Sequence, residues 1–147
     1  LKKGSKEIPN LNGIKFTSNN FMEMIECIRF DGGHFDILNG FDEMLLCGMA
    51  VGARGGVGST YNYSLRTYQN IYDAFMAGDL EQARAAQQES VDIVHVIINH
   101  GGGIRGGKAI MKLVGIDCGD CRLPLAPYTE AEIARLDEEL RAIGFKK

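Results

Sequence analysis

The chain has 147 residues, 45% of them hydrophobic and 24% charged, with a formal net charge of -3. That suits one domain, and it excludes a basic face for nucleic acid or a polybasic membrane anchor. The longest apolar run, around Val94-His95-Val96-Ile97-Ile98, is far too short to span a bilayer.

In chain order, Leu1 to Pro9 reads as the close of a helix, with Gly4 as its stop. This suggests a chain that begins within a larger structure. Gly13-Ile14-Lys15-Phe16-Thr17-Ser18 follows, bounded by turn-formers, and reads as a buried strand. Period-2 alternation puts Gly13, Lys15 and Thr17 on one face and Ile14 and Phe16 on the other. Lys15 is the only ionisable residue in the stretch. A buried lysine is costly unless paired or functional, and desolvation favours the neutral amine, a nucleophile for carbonyl carbon. The alternative is a lysine snorkelling from an edge strand.

Ser18 or Asn19 can cap a helix in which Phe21, Met24, Ile25 and Ile28 recur at helical spacing, ended by Asp31-Gly32-Gly33. A second strand is predicted at Phe35 to Gly40. Asp42 is positioned to cap a second helix, which Gly52 stops. Ala53 to Ser59 reads as a third, glycine-rich strand, and a helix through Tyr68, Ile71, Tyr72 and Phe75 ends at Gly78. Residues 13 to 77 thus read βαβαβα, a pattern of parallel strands covered by helices.

From Asp79 the chain reads as all helical. A box-like Asp79-Leu80-Glu81-Gln82 opens one helix, Gly101-Gly102-Gly103 breaks it, and Ile104 to Val114 forms another. Thr129-Glu130-Ala131-Glu132 is a capping box for a last helix carrying Ile133, Leu136, Leu140 and Ile143. Three parallel strands alone would leave faces and edges uncovered, so the expectation is part of a larger α/β structure.

Cys27, Cys47, Cys118 and Cys121 are too few for a disulfide scaffold. The single CxxC at 118–121 lacks a second pair, and His34, His95 and His100 have no ligand spacing, so reduced thiols are expected, with a redox role and then a metal site as the lesser alternatives. The glycines at 52, 55, 56 and 58 match neither a dinucleotide nor a P-loop fingerprint, and close packing accounts for them better.

Gly13-Ile14-Lys15-Phe16-Thr17, Asn39-Gly40-Phe41-Asp42-Glu43-Met44 and Gly58-Ser59-Thr60-Tyr61-Asn62 together resemble the C-terminal half of the N-acetylneuraminate lyases. That family lies within the dihydrodipicolinate synthase superfamily, of which Ala77-Gly78-Asp79-Leu80 and Arg122 to Pro127 are also typical. The resemblance covers essentially the whole chain. It implies the C-terminal part of a (β/α)8 TIM barrel. Residues 1–78 would hold strands six to eight with their helices, and residues 79–147 a C-terminal helical extension of the same domain. Active sites of such barrels gather at the C-terminal ends of the strands.

The resemblance also implies a Schiff-base aldolase that cleaves N-acetylneuraminate to N-acetylmannosamine and pyruvate. Lys15 would carry the covalent intermediate, with no other cofactor and no metal. Thr17, Gly40, Asp42, Glu43 and Ser59 would line the pocket and bind the sugar. Adjacent carboxylates suit a polyol because they accept several hydroxyl hydrogen bonds. Dihydrodipicolinate synthases lack the Asp-Glu pair and the Ser-Thr-Tyr-Asn run, which favours the sialic acid branch.

Plainer readings stand beside these: Asp42 as an N-cap, Glu43 as a helix-dipole complement, and Ser59 and Thr60 as a turn. The family's proton-shuttling tyrosine and pyruvate-carboxylate loop would lie in an N-terminal half-barrel, the expected partner. Tyr61, Tyr63, Tyr68 and Tyr72 do not match that tyrosine's motif. A fragment, a split-gene subunit and a deliberately made half all fit. A homo-oligomer, a tetramer by resemblance, and a cytoplasmic location are expected, with no nucleic acid or membrane partner. Two other functions remain open: a non-catalytic half-barrel interaction module, and an aldolase for another 2-keto acid.

Overall fold

Two short parallel strands, β1 (Gly13–Phe16) and β2 (Asp36–Asn39), organise the first part of the chain. They pair in register from Gly13 opposite Asp36 to Phe16 opposite Asn39. The fit depends on Gly13, because a Cβ there would run into the Asp36 carbonyl. A computed structural model describes residues 1–145, which form two units, Leu1–Gly58 and the chain from Ser59 onward, each with its own core.

In the first unit, Phe16, Met24, Phe35, Ile37 and Ala53 form the core. The ring of Phe30 stacks on Phe35 with centroids 5.7 Å apart. A one-turn helix, α1 (Gly4–Glu7), precedes β1. Gly4 therefore opens a turn instead of stopping a helix. The glycines that do adopt the left-handed conformation of a stop lie elsewhere in the chain.

The helix α2 (Phe21–Arg29) connects β1 to β2. Its cap is Asn20, one residue beyond the predicted positions, whose side chain accepts from the Glu23 N–H at 3.2 Å. Ser18 is occupied differently, accepting from the Asn20 N–H at 3.1 Å. Met24 is fully buried, whereas Ile25, predicted on the same stripe, is 39% exposed. The helix ends in a 3-10 turn, Phe30–Gly33, where Asp31 and Gly32 take left-handed backbone angles.

The third predicted strand does not form. Residues 53–59 contribute a single parallel bridge between Asn39 and Gly56. Two hydrogen bonds of 2.9 Å make it, from Asn39 N–H to the Gly55 carbonyl and from Val57 N–H to the Asn39 carbonyl. Glycines at 52, 55, 56 and 58 weaken strand formation, and only the end of β2 offers partners.

Asp42 does not cap a helix. It lies inside a 3-10 turn, Asp42–Met44, and is buried. The helix α3 (Leu45–Ala50) begins only after Met44, whose backbone leaves helical geometry.

The second unit is helical: α4 (Tyr61–Met76), α5 (Leu80–Asn99), α6 (Gly102–Leu113) and α7 (Glu130–Ala142). Its core is Ile93, Val96, Ile97, Ala109, Ile110, Leu136 and Leu140. The predicted punctuation holds where it is local. Gly78, Gly101 and Gly115 all have positive φ at or just beyond helix ends. Asp79 accepts from the Gln82 N–H at 2.9 Å. Thr129 and Glu132 form the reciprocal capping box. The start of α6 at Gly102 is two residues earlier than predicted. No helix among the described residues is long and apolar enough to cross a membrane.

Candidate active site

Lys15 sits near the C-terminal end of β1, with Thr17 just beyond the strand. Both are exposed, while Phe16 between them is buried. The alternation is as predicted, but the expectation of a buried lysine is not met. The sheet has two strands, and the first unit's core takes up Phe16 and leaves the Gly13-Lys15-Thr17 face open.

Gly40 follows β2 and brings the next element to these side chains. Its N–H donates to the Phe16 carbonyl at 2.8 Å, extending the ladder by one bond. A Cβ on Gly40 would collide with Thr17 Oγ1 and come within 3.0 Å of Lys15 Cγ and Cε. The bare backbone of Gly40 therefore flanks the lysine stem and the threonine hydroxyl.

Asp42 and Glu43 come two and three residues later. Asp42 is 6% exposed, and Glu43 is half-buried. Gly58 packs directly on the Asp42 carboxyl group, where any side chain would overlap it. Lys15, Thr17 and Gly40 are thus brought together, and Asp42 and Glu43 continue from the same strand end. Ser59 opens the second unit, where it is exposed, and its carbonyl accepts from Asn62 Nδ2 at 2.9 Å.

Two supporting residues escape sequence reasoning. Asn39, 3% exposed, uses its backbone in the Gly56 bridge and donates from Nδ2 to the Phe41 carbonyl. Gly48 supports it, since a Cβ there would meet the Asn39 side chain at 2.7 Å. A polar amide at a strand end, next to the glycine that flanks Lys15, is the signal that could have found it.

All four cysteines are free, and burial pushes the Cys27 thiol up. No cluster of three metal-ligating side chains occurs among the described residues.

A lysine and a hydroxyl lie beside bare backbone at the C-terminal end of parallel strands, the end at which α/β barrel enzymes gather their active sites. The Dihydrodipicolinate synthetase family matches residues 4–143, and the chain belongs to that family. It is 36% identical over 143 residues to N-acetylneuraminate lyase of Mus musculus, an alignment covering 95% of this chain and 44% of that protein. Its fold superposes on Proteus mirabilis N-acetylneuraminate lyase with a TM-score of 0.91 at 38% identity, covering 98% of this chain and 48% of the other. The lyase from Fusobacterium nucleatum, solved with pyruvate, gives 0.82 at 29% identity, over 97% of this chain and 49% of that one. The chain spans under half the length of the curated relatives it matches.

Proposed function

We propose that this chain is the lysine-bearing part of a Schiff-base aldolase acting on N-acetylneuraminate. In this reading residues 1–78 belong to the C-terminal part of a (β/α)8 barrel and residues 79–147 are its helical extension. β1, β2 and the Gly56 segment then stand sixth, seventh and eighth in the barrel. The observation that carries the reading is the flank of Gly40 against Lys15 and Thr17, which leaves the amine stem beside bare backbone at a strand end. The lyase relatives support the choice of substrate class, and pyruvate in the Fusobacterium enzyme supports the keto acid.

The chemistry follows from an amine and a keto group. The Lys15 amine adds to the keto carbon of the sialic acid, water leaves, and an imine forms. The carbon–carbon bond breaks as a sugar hydroxyl loses its proton. Its electron pair moves into the imine system and gives an enamine, while N-acetylmannosamine departs as the aldehyde. Protonation of the enamine carbon and hydrolysis then release pyruvate and restore Lys15. The base for the hydroxyl proton belongs to the N-terminal half-barrel, which this reading requires as partner. In this reading Thr17, Gly40, Asp42 and Glu43 of the first unit take the sugar side. No metal or added cofactor enters these steps. A tetrameric, cytoplasmic enzyme is the assembly that goes with it.

Incubation with pyruvate and borohydride, followed by intact mass and peptide mapping, tests the proposal. A reduced pyruvyl adduct on Lys15 is the expected result. A folded chain that gives no adduct, both alone and with an N-terminal half-barrel supplied, overturns it and leaves an interaction module.

A further inference from the structure

The Cys118-Gly119-Asp120-Cys121 stretch takes no part in the proposed aldolase chemistry. It lies in the connection between α6 and α7, and its backbone is bent around one cation. Lys108 Nζ donates to three successive carbonyls, those of Cys118 at 3.1 Å, Gly119 at 3.3 Å and Asp120 at 2.8 Å. Successive carbonyls of an extended chain point to opposite sides, so their convergence on one nitrogen requires a curved backbone. Gly119 supplies the bend with φ +65°, and its N–H is held by Asp117 Oδ1 at 2.8 Å.

That curvature decides whether the two thiols can meet. Fully extended, the Cα atoms of residues three apart lie about 10 Å from each other. A disulfide needs them within about 7 Å. The Lys108 clasp removes the extended form. Both sulfurs are also reachable. Cys118 is exposed, and Cys121 is half-buried at the wall of a cavity of about 230 Å³ that it shares with Lys108, Arg105 and Tyr128.

We propose that Cys118 and Cys121 are a thiol–disulfide pair, closed by a small disulfide oxidant such as oxidised glutathione, with Lys108 as the residue that poises the loop. The thiolate of one cysteine attacks the oxidant's disulfide, forming a mixed disulfide and expelling one reduced thiol. The thiolate of the other then attacks the protein-bound sulfur, forms the Cys118–Cys121 bond and expels the second. Two protein thiols are oxidised, one small disulfide is reduced, and the two thiol protons pass to the two expelled thiols. Cys47, exposed on α3 of the other unit, serves as an internal comparison.

The test is incubation of the folded chain with oxidised glutathione, then non-reducing mass spectrometry and peptide mapping. The expected product carries a Cys118–Cys121 bridge, with the mass of two hydrogens lost, while Cys47 carries glutathione. Stable glutathione on Cys118 or Cys121, or both thiols remaining free while Cys47 reacts, overturns the proposal. Titration of the same bridge against glutathione redox buffers in Lys108→Met separates the role of the clasp. The equilibrium should move toward the dithiol by about threefold or more. An unchanged equilibrium in a folded variant removes Lys108 from the argument.

Discussion

Gly40 and Thr17 are mutually dependent: the threonine hydroxyl stands where a side chain on Gly40 would have to be. The same absent side chain would press on the Lys15 stem, so one glycine leaves room for two candidate site residues. Gly40→Ala should therefore displace both. Overpacking of this kind costs about 1–3 kcal/mol, measurable by urea denaturation. In a variant that remains folded, borohydride trapping of pyruvate on Lys15 should fall by about tenfold or more, since small misplacements of a reacting group are expensive. Trapping at the parental rate would mean that the lysine is positioned by something other than this contact.

Gly58 stands to Asp42 as Gly40 stands to Thr17, and here the crowded group is a buried carboxyl. Gly58→Ala should destabilise the first unit by about 1–3 kcal/mol. The cost should be much smaller in an Asp42→Ala background, because truncating the aspartate clears the space the new methyl needs. Denaturation of both single variants and the double variant gives the coupling directly. Additive effects would show that the collision is relieved by backbone movement instead.

Local signals in the sequence were readable where the structure depends on local contacts. Thr129 and Glu132 cap α7 within one turn, Asp79 caps α5, and Gly78, Gly101 and Gly115 take the left-handed geometry a helix end needs. The approaches that shape the site depend on residues distant in sequence. Gly40 meets Lys15 and Thr17 from more than twenty positions away, and Gly58 meets Asp42 from sixteen. No periodicity announces such contacts. Strand composition does not say which sheet face will be covered, so it leaves a buried Lys15 and an edge-strand Lys15 both open, and the structure has it exposed. The glycine-rich stretch at 53–59 forms one bridge and no strand because pairing needs a neighbour, and only Asn39 supplies one. The family motif located the candidate residues without their geometry.

The two adjacent carboxylates should behave differently on substitution, because only Asp42 is almost fully buried. In an assembly that cleaves sialic acid, Glu43→Ala should raise KM for the sugar several-fold and leave pyruvate trapping on Lys15 intact. Asp42→Ala should in addition lower the denaturation midpoint, because it leaves a cavity against Gly58. Steady-state kinetics beside thermal denaturation separate the two effects. Unchanged kinetics in both variants would remove the pair from sugar recognition.

Glu132 ties the start of α7 to the preceding loop. Its carboxylate accepts from the Thr129 N–H at 2.8 Å, from the Arg105 guanidinium at 2.9 Å and from the Thr129 hydroxyl at 2.9 Å. The backbone bond first, and then Arg105, hold its pKa near 2, against an ordinary value of 4.5. Arg105 is itself anchored, lying 3.8 Å over the Tyr128 ring and donating to the Ala126 carbonyl at 2.7 Å. A carboxyl group whose folded pKa is depressed stabilises the fold fully above its unfolded pKa, and that contribution fades as pH falls toward the folded value. Glu132→Gln should therefore be less stable than the parent by a constant margin down to about pH 5. The margin should then shrink steadily toward about pH 3. Glu139, held below its ordinary pKa by His100 and then Arg135, titrates in both proteins and cancels in the difference. Paired urea titrations across this range supply the measurement. A margin that stays constant through the acid limb would mean that Glu132 acts through its shape and neutral hydrogen bonds, with no contribution from its charge.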